Sequence, residues 1–62
     1  MSDLLGRMIA YESGEMSDAE TLELFSELIK SGTIRHLQGA YGRAASAMIA
    51  DGLLTPEGEI NE

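Results

Sequence analysis

The chain has no cysteine and no tryptophan, a single proline, and only three aromatic residues, Tyr11, Phe25 and Tyr41, among its 62 positions. Without cysteine there is no disulfide framework and no thiolate metal site, so nothing covalent supplements the core. Basic residues are equally scarce: four Lys and Arg stand against eleven Asp and Glu, a formal charge of −7. Such an excess repels nucleic acid and anionic membrane at long range, which places both among unexpected partners. No run approaches the roughly 20 apolar residues needed to span a bilayer. The opening stretch, with Gly6 and Arg7 inside its apolar pattern, lacks the layout of a secretory leader. The composition leads to the expectation of a soluble protein of the cytoplasm.

Apolar spacing is helical throughout, and the sequence predicts an all-α, three-helix domain spanning residues 1–62. Its helices are expected at about 3–13, 18–31 and 34–51, followed by a short C-terminal turn or tail. Ser2 or Asp3 caps the first helix, and Ser13-Gly14 closes it. Ser17 followed three positions later by Glu20 is a capping box, in which each side chain satisfies a backbone donor near the other. Leu22, Phe25, Leu28 and Ile29 of the second helix face the core, with Leu24 to one side. Thr33 opens the third helix, whose stripe of Ile34, Leu37, Tyr41, Ala44 and Met48 is a packing face. Gly52 and Leu53 fit a Schellman ending, and Thr55-Pro56-Glu57-Gly58 fits a type I turn. Ile60 either folds back on the core or belongs to a loose tail.

The third segment stands out as the element around which the rest is organised. Between Thr33 and Ala50 there is no acid, and residues 33–62 carry −2 against −5 for residues 1–32. Gly39 and Gly42 together cost about 2 kcal/mol in helix propensity. With Ser46 they suit close contact with a neighbouring backbone, as in a homo-oligomer, or with a flat ligand; the alternative is a kink or break near residues 39–42. A core this small makes self-association an economical source of further burial.

Catalytic chemistry is hard to assemble from these residues. His36 is the only imidazole, and the positions one helical turn away are Gly32, Thr33, Gly39 and Ala40, so no acid orients it. The acids match no calcium-loop spacing and no phosphate-binding loop is present. A non-enzymatic protein with no metal and no cofactor is expected. Its acidic residues Asp18, Glu20, Glu23 and Glu27 offer a surface for a basic protein. A rival reading places Arg35, Gln38, Tyr41 and Arg43 around a small anionic, nucleotide-like ligand at a subunit interface, with the arginines forking onto the anion and the tyrosine stacking. Arg35 and Arg43 are otherwise expected to pair with acids of the first two helices or of a neighbour. Gly39-Ala40-Tyr41-Gly42 has the GxxG pattern of certain RNA-clamping loops, but the net charge opposes it. The two later helices also have the outline of an acidic helix-turn-helix regulator.

The segments MIAYESGE, ETLELFSELIKSG and LQGAYGRAASAMIADGLL together resemble a group of short bacteriophage and viral-metagenome proteins, most of them described only as hypothetical. The likeness covers roughly residues 8–54, and its most distinctive part joins Leu37-Gln38-Gly39 to Tyr41-Gly42-Arg43. It implies a phage origin, and with it the host cell's cytoplasm, but no activity: it brings no reaction, cofactor or binding residue, and small phage proteins are often non-enzymatic, binding a host protein or sequestering a host signal.

Overall fold

The computed structural model describes residues 4–37 and 39–61 and places three α-helices in the expected order: α1 (Leu4–Glu12), α2 (Asp18–Ser31) and α3 (Gly39–Ala50). No strand is present among the described residues. The cap foreseen at Ser2 or Asp3 lies outside the described residues. The far end of α1 closes as the sequence indicates. Gly14 takes φ 77°, its N–H donates to Tyr11 O at 3.1 Å, and Glu15 N–H donates to Ala10 O at 2.9 Å, the two bonds of a Schellman ending.

The start of α2 is fixed by the capping box. Ser17 has extended backbone, Glu20 N–H donates to Ser17 Oγ at 3.2 Å, and Ser17 N–H donates to Glu20 Oε1 at 3.0 Å. That second bond holds the Glu20 carboxyl below its usual range, the Ser17 backbone contributing most. Gly32 ends the helix at φ 78°.

α2, not the third segment, is the organising element. It supplies Leu24, Phe25 and Leu28, each with no exposed surface, while Tyr41, Ala45 and Leu54 complete the buried core from the rest of the chain. Leu24 therefore belongs at the centre and not to one side. It sits about 100° around the helix from Phe25, and both are sealed because neighbours cover α2 on more than one flank. All three aromatic rings meet here: Tyr11 stands edge-on to Phe25 at 5.2 Å, and Phe25 stacks on Tyr41 at 5.9 Å.

The expected helix over 34–51 is not continuous. Thr33–His36 form a short 3₁₀ turn and Leu37 is extended (φ −97°, ψ 168°), so α3 begins only at Gly39. The break lets Ile34 and Leu37 fold under the core, where both are half-buried. The break falls directly before Gly39, close to the 39–42 stretch near which a kink or break was the alternative expected, and Gly39 and Gly42 both lie inside α3.

α3 closes in a second Schellman ending, with Leu53 N–H donating to Met48 O at 2.9 Å and Gly52 N–H to Ile49 O at 3.0 Å. The chain then reverses through Thr55–Gly58, whose Gly58 N–H donates to Thr55 O at 2.9 Å as a type I turn requires. Leu54 and Ile60 form an isolated antiparallel bridge that brings Ile60 back against the core. This small hairpin rests on α2. The Ser26 hydroxyl donates to Gly58 O, and a Cβ at Gly58 would lie 3.0 Å from both Ser26 O and Lys30 Cγ.

Candidate functional site

Two surfaces have the character of contact sites. The first is a groove of about 620 Å³ between the C-terminal half of α2, the 3₁₀ turn, α3 and the hairpin. Its floor is Ile29, Ile34, Gly42, Ala45 and Ile49, buried or half-buried, and its exposed rim is Lys30, Arg35, Ser46, Pro56 and Glu57. Among the described residues, a Cβ added to Gly42 would meet nothing within 4 Å, so the glycine leaves the groove open there. A Cβ at Gly39 would come near the Arg43 guanidinium, at 3.7 Å. Ser46 is exposed on the same rim.

The second surface is acidic. Asp18 and Thr21 border a hollow with Met48 and Leu53, while Ile29 and Lys30 border the groove with Gly42 and Ser46. The N-terminal part of α2 carries Asp18, Glu20 and Glu23, all exposed. Lys30 and Arg35 are on the rim of the groove, and His36 and Arg43 are exposed as well. Among the described residues the ion pairs are Arg7–Glu27 and Lys30–Glu59, the latter at 3.5 Å. Glu27 is thus compensated by α1, whereas Asp18, Glu20 and Glu23 have no basic partner there. The pairing expected for Arg35 and Arg43 is not made within the described chain.

Tyr41 is in a different environment from the one a stacking role requires. It is 7% exposed, one face of its ring lies on Phe25, Tyr11 is tilted against it at 5.7 Å, and its hydroxyl donates to the Glu12 carboxylate. Burial first, and the Glu12 carboxylate second, push the phenol up to about 12. Tyr41 is a core residue with no open ring face for a ligand. Gln38 lies outside the described residues. Arg35 is on the groove rim, and Arg43 extends beside Gly39.

Two further expectations change. Gly39-Ala40-Tyr41-Gly42 is helical, so it is not a backbone-clamping loop. The connection between α2 and α3 occupies residues 32–38 and contains its own 3₁₀ turn, longer than the three- or four-residue turn of a helix-turn-helix. Arg35 and His36 consequently sit in the connection and not on a recognition helix. Among the described residues no group of three or more His, Asp or Glu is placed to hold a metal ion, and no helix is long and apolar enough to cross a membrane.

The groove itself was not foreseen. The signal available for it was the pair of glycines in a helix, whose cost in propensity has no return inside the chain. No curated protein and no solved structure shows significant similarity to this sequence. A family model spans residues 1–62, and the chain belongs to that family, described as Domain of unknown function (DUF7417).

Proposed function

We propose that this is a small phage-type protein that acts in the host cytoplasm by recognition and not by reaction, meeting a basic surface on a host protein through Asp18, Glu20 and Glu23. The observation that supports this reading is the local imbalance of charge. These three exposed carboxylates follow one another along α2 with no base among them, while the ion pairs among the described residues involve Glu27 and Glu59. Uncompensated charge of one sign raises the rate of encounter with an opposite surface, and salt weakens the effect. The anionic-ligand reading retains Arg35 and Arg43 but loses the ring of Tyr41, and ranks second for that reason.

The test uses a host protein retained by the immobilised chain and then purified. Asp18→Lys with Glu23→Lys reverses the face while leaving the Ser17–Glu20 capping box intact. The expected result is an association rate at least about tenfold lower at low salt, with the salt dependence largely gone, and an unchanged circular dichroism spectrum. An association rate equal to that of the unmodified chain would remove the acidic face from the contact.

A further inference from the structure

The three helices are not held equally. α2 and α3 each place residues in the buried core, whereas α1 places none, and every residue from Leu4 to Glu12 keeps part of its surface in solvent. Leu4, Met8 and Tyr11 rest against the core, while Leu5 at 69% exposed and Ile9 at 58% face outward and add nothing to the docking. Alone, α1 has little tendency to be helical. It has nine residues, fewer than the roughly 12–15 at which even alanine-rich helices are marginal in water, and Gly6 lowers its propensity further. Its helical form therefore depends on contact with the rest of the molecule.

That contact runs through few links. Tyr11 stands edge-on to Phe25 and tilted against Tyr41, Arg7 pairs with Glu27 of α2, and the Glu12 carboxylate accepts from the Tyr41 hydroxyl of α3. The Arg7 and Glu27 side chains are 29% and 39% exposed, so water competes for their pair. By contrast, α2, α3 and the hairpin share a core of fully or nearly enclosed residues, Leu24, Phe25, Leu28, Ala45 and Leu54 among them, and the Ser26–Gly58 bond. The joint between α1 and α2 is equally simple. A Schellman ending closes α1 at Gly14 and Glu15, and the capping box opens α2 at Ser17, so Met16 lies between two ends whose hydrogen bonds are local. A turn of the backbone there breaks none of those bonds.

We infer that α1 is a lid: it swings about Met16 off a body of α2, α3 and hairpin that stays folded, with Arg7–Glu27 and Glu12–Tyr41 as its latches. Segments with few buried contacts and solvent-accessible links are the ones that open locally, below the free energy of global unfolding. Opening carries Tyr11 away, so the edge of Phe25 and a face of Tyr41 reach solvent, and the closed form conceals an aromatic surface that the open form presents. Arg7 leaves with the lid, which frees the Glu27 carboxylate on α2. The inference does not rest on the acidic contact proposed above.

Amide hydrogen exchange of the full chain, followed by NMR in a series of low urea concentrations, tests it. Residues 8–12 are expected to be protected at least about tenfold less than residues 24–28, and to share one urea dependence weaker than theirs, because opening exposes less surface than unfolding. Leu54→Val loosens the hairpin side of the core without touching α1. It should speed exchange at residues 24–28 several-fold and leave residues 8–12 unchanged. Arg7→Met keeps much of the apolar stem and removes one latch, and should speed exchange at residues 8–12 about two- to fivefold. Three results would overturn the inference: equal protection and urea dependence in α1 and α2, a Leu54→Val effect felt equally by both, or protection that declines steadily from Glu12 to Met8 as in a fraying end. Unchanged exchange at residues 8–12 in Arg7→Met would remove the ion pair as a latch.

Discussion

At the scale of single residues, Tyr41 shows how far spacing alone reaches. Its place on the helical stripe with Ala44 and Met48 was legible as a packing position, and it is buried. Its hydroxyl was not legible, because Glu12 is 29 residues away and no local pattern joins them. The contact has a thermodynamic consequence. In the unfolded chain a tyrosine ionises near pH 10, whereas in the folded chain Tyr41 is pushed up to about 12. Between those values the unfolded state releases a proton that the folded state retains. The stabilisation is complete below about pH 10 and is lost as pH rises towards 12. Tyr41→Phe keeps the ring stack with Phe25, removes the hydroxyl bond and should cost about 1 kcal/mol at neutral pH. The gap between the two proteins should then narrow in alkali, and melting temperatures from pH 8 to 11 measure it. A constant gap would place the alkaline loss on another group.

At the scale of elements, helix ends proved easier to read than helix continuity. The capping box at Ser17–Glu20 and the glycines at 14, 32 and 52 are local chemistry, and each sits where its backbone geometry requires it. The break at Leu37 has no such local signal, since what it serves is the turning of Ile34 and Leu37 onto a core built by distant residues. Two glycines separate local cost from tertiary need. Gly42 has helical backbone and an open position for a Cβ, so Gly42→Ala should raise stability by about 0.5–1 kcal/mol. Gly58 has φ 95° and its added Cβ would lie 3.0 Å from the Ser26 carbonyl oxygen. Gly58→Ala should therefore lower stability by roughly 2 kcal/mol or more, from positive φ and steric contact together. Urea unfolding of the two variants reads both signs directly. Opposite results would mean that α3 is packed by its own chain at Gly42, or that the hairpin is not docked on α2.

At the scale of the whole molecule, residues 51–61 are part of the fold and not an appendage. The composition indicated a thin core, and the all-α class followed from periodicity, but whether Ile60 returned to the core was undecided in the sequence. The pairing of Leu54 with Ile60 and the bond from Ser26 to Gly58 O depend on residues brought together only once α2 is in place. Leu54 is 2% exposed and is the hairpin's contribution to the buried core. Truncating a leucine so enclosed removes about 2–5 kcal/mol. A domain of 62 residues holds roughly 3–9 kcal/mol in total at the usual 0.05–0.15 kcal/mol per residue. Leu54→Ala should consequently lose a large share of the stability and lower the thermal midpoint by ten degrees or more, at about 4–8 °C per kcal/mol for a domain of this size. Leu53→Ala, one position earlier and 42% exposed, should change it little. Equal effects of the two substitutions would show that the hairpin lies on the surface without closing the core. The groove would then lack its Pro56–Glu57 wall.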